Sequence, residues 1–233
     1  MNVDMNLSVE ENLKLLEDKI KKACDRSNRD PKEIIIIGIT KYVTIERAKE
    51  AIEAGIVNLG ENRDNEFLAK YNEIGSKANW HFVGTLQSRK VRDVVNKVTA
   101  IHSVERMSVV KQIQNRAENP VDCFIQVNIS GEERKHGLSP DEVIPFIEES
   151  KKYPKARIVG LMTMAPHTED ELVLRKVFQD LALLRDKIAD KNYEHAPCKY
   201  LSMGMSNDFE IAIEEGATHI RIGSDLVGGM KKN

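Results

Sequence analysis

Residues 34–42 read Ile-Ile-Ile-Ile-Gly-Ile-Thr-Lys-Tyr, and this stretch decides the fold. The isoleucine run is too short and too β-branched for a helix and lacks a polar face. It therefore predicts a strand covered on both sides, as in a parallel sheet. The strand leads into Lys41, which we expect to be desolvated at the strand end. Desolvation lowers the pKa of an amine and makes it a nucleophile towards aldehydes. The alternative is a lysine that extends to solvent.

Strand patterns and helix patterns alternate on both sides of this stretch. Helix starts are indicated by the capping boxes of Ser8 with Glu11 and of Ser139 with Glu142, and Thr168 is predicted to open a long helix. The predicted strands cover residues 34–40, 56–60, 80–84, 100–104, 123–129, 157–164, 200–205 and 219–224.

Eight βα units in 233 residues, with no break in composition, predict one domain over residues 1–233. The fold expected from this count is a (β/α)8 TIM barrel, preceded by an extra N-terminal helix at about residues 8–26. A doubly wound open sheet is the alternative, because a strand count from pattern can be off by one or two.

Composition limits the classes of function. The formal net charge is −2 and aromatic residues are sparse, which argues against nucleic acid or anionic lipid as a partner. No apolar run is long enough to span a bilayer, and the N-terminus lacks the pattern of a signal peptide. Cys24, Cys123 and Cys198 are odd in number and widely spaced, so they are expected to be reduced thiols in a cytoplasmic protein.

The candidate site residues lie at the carboxyl ends of the predicted strands, where barrels carry their active sites. Lys41 shares strand parity with Ile39, and Arg221 shares parity with Gly223, so both side chains are expected to point into the barrel. By the same parity, Asn62 belongs with the inward-facing residues of the second strand.

Small polar residues follow the last two strands, a place where barrels bind phosphate. Ser206, Gly223 and Ser224 offer hydroxyls and uncrowded N–H groups to a dianion. A lysine can attack an aldehyde, and here it lies opposite a phosphate site. The sequence therefore predicts a phosphorylated aldehyde as the ligand. Pyridoxal 5′-phosphate (PLP) satisfies both ends, and Arg221 would then face its pyridine nitrogen and make it a weaker electron sink.

Structural alternatives stand beside each of these assignments. Arg221 could form a salt bridge with Glu61, His81 could be a hydrogen-bonded core histidine, and Ser206 could be only a helix cap. The glycines after the last two strands could be turn residues. A Schiff-base aldolase for a sugar phosphate would share the lysine and the phosphate site, but it gives no reason for Arg221.

The same residues resemble the pyridoxal phosphate homeostasis protein family, whose fold is like the barrel domain of alanine racemase. The segments that carry Trp80-His81-Phe82 and Ser202-Met203-Gly204-Met205-Ser206 are the most specific. The matching stretches run in family order over nearly the whole chain, at residues 60–62, 80–90, 126–130, 135–138, 160–162, 201–208 and 221–224.

The resemblance implies that Lys41 carries PLP as a Schiff base, that Asn62 lies near the ring and that Arg221 faces the pyridine nitrogen. It also implies that the phosphate is held by Ser206, Gly223 and Ser224, with His81 and Met205 among the cofactor-binding residues. The sequence departs from the family pattern at three places, which are Val43 in place of a second lysine, Arg89 in place of an asparagine, and residues 225–228 in place of a more apolar segment.

The function expected from this resemblance is intracellular PLP homeostasis without robust turnover, with no catalytic residue and no metal ligand. The alternative is a PLP-dependent racemase-like enzyme with weak activity. Racemisation needs a second acid or base opposite the lysine, which an additional C-terminal domain supplies in alanine racemase. The chain ends nine residues after Ser224, so we expect that domain to be absent. The expected partners are PLP and apoenzymes that accept it, and the expected state is a monomer.

Overall fold

A computed structural model describes residues 7–132 and 135–228 of the chain. Within these ranges eight parallel strands close into a barrel in chain order, which confirms the barrel and excludes the open sheet. The strands are β1 (Ile35–Ile39), β2 (Asn58–Glu61), β3 (Asn79–Phe82), β4 (Ala100–Val104), β5 (Val121–Gln126), β6 (Ala156–Met162), β7 (Tyr200–Met205) and β8 (His219–Ile222). The predicted domain also includes residues 1–6, 133–134 and 229–233, which lie outside the described ranges.

Helices cover the outside of the barrel. The helices of the described residues are α1 (Val9–Ser27), α2 (Ile45–Glu53), α3 (Asp64–Ile74), α4 (Val91–Val94), α5 (Met107–Arg116), α6 (Pro140–Ser150), α7 (Glu171–Ala189), α8 (Phe209–Glu214) and α9 (Ser224–Val227). The predicted extra N-terminal helix is α1. None of the helices in the described part of the chain has the length and apolar character needed to cross a bilayer.

The barrel closes through pairing of β1 with β8, in which Ile37 lies level with Arg221. Inside the barrel, side chains of β1 fill the space that Gly60 leaves free, since a Cβ on Gly60 would lie 2.5 Å from Ile39 and 3.0 Å from Ile37. A Cβ on Gly38 would instead contact Leu226 and Leu59 in the helix layer. The predicted inward parity is therefore confirmed for Ile37 and Ile39, the residues of that set within β1.

Most helix starts form as the sequence predicts. At α1, the Ser8 N–H donates to the Glu11 carboxylate at 2.8 Å, and the Ser8 hydroxyl accepts the Glu11 N–H at 3.2 Å. The same capping box opens α6. The prediction for α7 is wrong in its detail. Thr168 closes a turn by accepting the Asp170 N–H, and Asp170 caps the helix by accepting the Leu172 N–H at 2.9 Å.

Two helices are shorter than their sequence patterns indicate. Residues 86–97 contain a single 3₁₀ turn at Ser88–Lys90, followed by the short helix α4. Helix α8 begins at Phe209, because the Asp208 carboxylate accepts the Met205 N–H at 2.6 Å and closes a turn over residues 205–208.

Candidate functional site

The chain turns sharply after β1, and this turn carries Lys41. The strand ends at Ile39, Thr40 is fully buried, and Val43 N–H donates to the Thr40 carbonyl at 3.2 Å. Lys41 is exposed, so the expectation of a lysine desolvated at the strand end is wrong. Its ammonium lies 5.6 Å from the centre of the Tyr42 ring, and Tyr42 adopts a left-handed φ of 69°.

A buried ion pair lies directly beneath this turn. Lys70 on α3 donates to the Glu61 carboxylate at 2.6 Å and to the Thr40 carbonyl at 2.7 Å. The Thr40 hydroxyl donates to the same carboxylate oxygen at 2.7 Å. Glu61 faces the helices because it shares parity with Leu59, which contacts the outward-facing side of Gly38. The alternative of a salt bridge between Glu61 and Arg221 is therefore wrong.

Asn62 follows β2, whose ladder with β1 ends at the pair of Ile39 with Gly60, two residues before Lys41 and Asn62. The side chain of Asn62 is half-buried, and its carbonyl oxygen Oδ1 is buried without a hydrogen-bond partner among the described residues. Its backbone touches β3, since a Cβ on Gly84 would lie 2.0 Å from the Asn62 carbonyl oxygen. Asn62 therefore has one acceptor free for a donor from a ligand.

The ends of β7 and β8 present backbone donors that the fold does not use. Within residues 7–132 and 135–228, the N–H groups of Ser206, Asn207, Gly223 and Ser224 donate no hydrogen bond. Ser206 is half-buried and Ser224 is exposed, so both hydroxyls can be reached from solvent. Because β7, β8, β1 and β2 are neighbours in the barrel, these groups lie beside Lys41 and Asn62. Such a group of N–H donors can bind an anion.

Two charged side chains lie under these loops. Arg221 is 5% exposed and donates to the Ser202 hydroxyl at 2.8 Å and to the Thr163 carbonyl at 2.9 Å. Burial lowers the pKa of Arg221 to about 10, and the negative charge of Asp208 acts in the opposite direction. Burial raises the pKa of Asp208, whereas its hydrogen bond from Met205 N–H and the charge of Arg221 oppose that rise.

A hydrogen-bonded chain runs from Arg221 through the barrel interior. Arg221 can only donate, so the Ser202 hydroxyl oxygen accepts from it, which leaves the hydroxyl hydrogen available to His102 Nδ1 at 2.9 Å. His102 Nε2–H then donates to His81 Nδ1 at 3.0 Å, and His81 Nε2–H donates to Asn58 Oδ1 at 3.3 Å. Asn58 Oδ1 can only accept, and this acceptor at the end of the chain assigns the tautomers of both neutral histidines.

The structure brings together most of the predicted site residues at the carboxyl ends of β1, β2, β7 and β8, which we call the barrel mouth. Met205 lies there, 36% exposed at the end of β7 and level with Arg221. His81 is 4% exposed and lies deeper, because Gly60, with which it pairs, comes two residues before Asn62. The barrel mouth therefore contains Lys41, Asn62, Met205, Ser206, Arg221, Gly223 and Ser224.

Sequence reasoning missed three polar residues that hold the barrel mouth in place, namely Lys70, Ser202 and Asp208. Ser202 and Asp208 lie within the segment that carries the family resemblance, but their types alone do not indicate a partner. The sequence did contain an indication of Lys70. Glu61 lies on the helix-facing side of a buried strand, so its carboxylate requires a cation, which the next helix can supply.

The closed parallel barrel and its mouth define a class of protein. It is a (β/α)8 barrel with an exposed lysine and two loops at the strand ends whose N–H groups can bind an anion. The sequence profile of the family described as alanine racemase, N-terminal domain, matches residues 13–231. A pyridoxal phosphate homeostasis protein from Aquifex aeolicus is 40% identical over 225 residues, which cover 95% of this chain and 98% of the relative. The chain belongs to the pyridoxal phosphate homeostasis protein family.

Solved structures agree with this assignment. A protein of unknown function from Bifidobacterium adolescentis matches with a TM-score of 0.89 at 30% identity, covering 94% of each chain. PipY of Synechococcus elongatus, solved with PLP bound, matches with a TM-score of 0.80 at 27% identity and covers 94% of this chain and 100% of that one.

Proposed function

We propose that residues 1–233 act as one PLP-binding barrel domain that serves PLP homeostasis and holds PLP as a Schiff base on Lys41. The observation that carries this proposal is the placement of an exposed lysine after β1 beside four unused backbone N–H groups after β7 and β8. PLP supplies an aldehyde that condenses with a primary amine with release of one water, and a phosphate that needs several donors.

The residues of the barrel mouth fit this group. Ser206, Gly223 and Ser224 hold the phosphate with their free N–H groups and the two hydroxyls. The unpartnered Asn62 Oδ1 is a buried acceptor that a donor on the ligand can satisfy. Met205 contributes apolar contact at the end of β7. These roles give a ligand contact to these free N–H groups, to the two hydroxyls and to the unpartnered Asn62 oxygen of the barrel mouth.

Arg221 forms the buried side of the barrel mouth, and His81 lies beneath it. Arg221 keeps its charge at neutral pH because its pKa remains near 10, and it faces the ring nitrogen. His81 contributes indirectly, because it fixes the tautomer of His102, which directs the Ser202 hydroxyl hydrogen to His102 and leaves the Ser202 oxygen to accept from Arg221. A charged guanidinium at the ring nitrogen disfavours protonation of that nitrogen, which weakens the cofactor as an electron sink.

This weakened electron sink favours holding PLP over turning substrate over. We therefore propose a homeostasis role without robust turnover, with apoenzymes that accept PLP as partners, in a cytoplasmic monomer. Cys24, Cys123 and Cys198 are free and buried, which fits a reducing compartment. Amino-acid racemisation well above that of free PLP, abolished by Lys41→Ala, would instead favour the enzyme.

The proposal is tested by incubating the protein with PLP, reducing it with borohydride and mapping the modified peptide by mass spectrometry. We expect a pyridoxyl adduct on Lys41 in the wild type and its loss in Lys41→Ala. Lys49 is also exposed and lies on α2, so Lys49→Ala is the matched control and is expected to retain the adduct. A wild-type protein without an adduct on Lys41 would contradict the proposal.

Arg221→Lys tests the role of the guanidinium. Lysine keeps the charge but presents its donors from a single nitrogen, without the planar fork that reaches Ser202 and Thr163 together, so we expect PLP affinity to fall about tenfold and the absorption band of the bound cofactor to shift. The exposed Arg157, which pairs with Asp122 at 2.6 Å, provides the control Arg157→Lys. An unchanged band in Arg221→Lys would make Arg221 a structural residue only.

A further inference from the structure

The peptide that joins Thr40 to Lys41 is fixed by an unusual set of partners. The Thr40 carbonyl accepts one hydrogen bond from Val43 N–H at 3.2 Å and a second from Lys70 Nζ at 2.7 Å. This carbonyl belongs to the amide plane that leads into Lys41, so its direction sets the direction of the Lys41 backbone. The side chain of Thr40 is held as well, through its hydroxyl and Glu61.

The turn itself is not one that its residues favour. Tyr42 has a φ of 69°, a left-handed conformation that is unfavourable for a residue with a Cβ atom. Tyrosine has a Cβ atom, unlike glycine, and lacks the short polar side chain through which asparagine hydrogen-bonds locally in such a position. A conformation of this kind persists when surrounding contacts determine it, and it is typical of functional sites. Lys70 supplies such a contact from a separate helix.

The ion pair between Lys70 and Glu61 has features that limit its contribution to stability. Lys70 is 5% exposed and Glu61 is fully buried, so both charges have lost their hydration. Glu61 Oε1 accepts from both Lys70 and Thr40, while Oε2 has no partner among the described residues. Apolar residues often replace buried pairs without loss of stability, so an incompletely satisfied pair is explained better by the geometry that it imposes.

The same pair connects the two strands of the barrel mouth that carry Lys41 and Asn62. Glu61 immediately precedes Asn62, and its backbone carbonyl accepts Val83 N–H from the end of β3 at 2.8 Å. The geometry points to a positioning role, and we propose that Lys70 and Glu61 hold the turn of Lys41 in the orientation that reacts with the aldehyde of PLP. This inference rests on the proposed function of Lys41, and neither Lys70 nor Glu61 touches the cofactor.

The test replaces the pair as a unit, because Lys70→Met alone would leave an unpaired buried carboxylate. The double variant Lys70→Met/Glu61→Leu keeps an apolar, similarly sized interior. The rate at which the borohydride-stable adduct forms on Lys41 is measured beside the affinity for pyridoxine 5′-phosphate, which has the ring and phosphate but no aldehyde. Lys49→Met is the control, since Lys49 approaches Glu73 of the same helix α3 on the surface, at 3.9 Å.

We expect the double variant to form the adduct about tenfold more slowly or worse, as misplaced reacting groups do, with pyridoxine 5′-phosphate affinity and the unfolding midpoint unchanged. Should that variant not fold, Thr40→Val carries the same comparison, because it removes one bond to Glu61 and retains the ion pair. A wild-type rate, or equal losses of adduct formation and analogue affinity, would overturn the positioning role while the Lys41 adduct of the wild type still stands. A wild type without the adduct would overturn the proposed function together with this inference.

Discussion

Lowering the pH from 7.5 to 5 is expected to reduce the free energy of unfolding by several kcal/mol. The cause is the burial of His81, His102 and His219 in the barrel interior, where they are 4%, 0% and 6% exposed. Burial lowers the pKa of His81 to about 3 and of His219 to about 4, with repulsion by His219 and by Arg221 as the respective second causes. Burial also places the pKa of His102 well below its usual range, and repulsion by His81 adds to this effect.

The sign follows from proton binding. In the unfolded chain these histidines titrate near pH 6.5, so between that pH and the lower pKa values of the folded state the unfolded chain binds more protons. Stability is therefore unaffected by these groups above pH 6.5 and falls as the pH decreases below it. A histidine that stays neutral in the folded protein costs ~2 kcal/mol of stability at pH 5, and three such residues make the effect large.

The hydrogen-bonded chain shows why the folded protein resists protonation. His102 Nδ1 accepts from Ser202, whose oxygen already accepts from Arg221. A proton added to His102 Nδ1 would face the Ser202 hydroxyl donor. It would also place a second positive charge near the guanidinium of Arg221, and the hydrogen-bonded chain contains no carboxylate that could balance this charge.

Denaturant unfolding at pH 7.5, 6 and 5 measures this dependence. His81→Gln is expected to reduce its slope by about one proton, because one buried histidine no longer titrates in the unfolded state. His167 is exposed, so His167→Gln is the control and is expected to leave the slope unchanged. A profile that is flat between pH 7.5 and 5 would show that the three histidines are not held neutral.

The barrel could be predicted from sequence because each of its strands has a local signal. A run of apolar residues, a turn and a capped helix recur around the chain, and the adjacency of the first and last strands follows from closure. The common end of the strands predicts that Lys41, Gly223 and Ser224 face one another across one opening of the barrel. The inward parity of Arg221 and Ile37 followed from the two-residue repeat of a strand.

The environment of Lys41 could not be predicted in the same way. The end of β1 is set by a turn that contains neither glycine nor proline and depends on the left-handed Tyr42 and on Lys70 from a distant helix. Local sequence signals do not contain such a contact. A buried lysine does lie at this place in the fold, but it is Lys70, which lies beneath the turn, and not Lys41.

Gly84→Ala is expected to destabilise the fold by about 3 kcal/mol and to weaken PLP binding at the same time. A Cβ at this position would lie 2.0 Å from the carbonyl oxygen and 2.7 Å from the Cα of Asn62. These are backbone atoms, so no side-chain rotation relieves the clash and β2 must move away from β3. That movement would shift Asn62 Oδ1 at the barrel mouth and strain the hydrogen bond from Val83 N–H to the Glu61 carbonyl, which is 2.8 Å long.

The unfolding free energy and the yield of the borohydride-stable adduct on Lys41 are measured together for this variant. Thr85→Ala is the matched control, because Thr85 is the next residue, is exposed, and introduces no atom between the strands. Since Gly84 is far in sequence from Lys41, a parallel loss of stability and adduct would show that the contact between β2 and β3 supports both. An unfolding free energy within about 0.5 kcal/mol of the wild type would contradict the close approach of Gly84 to Asn62.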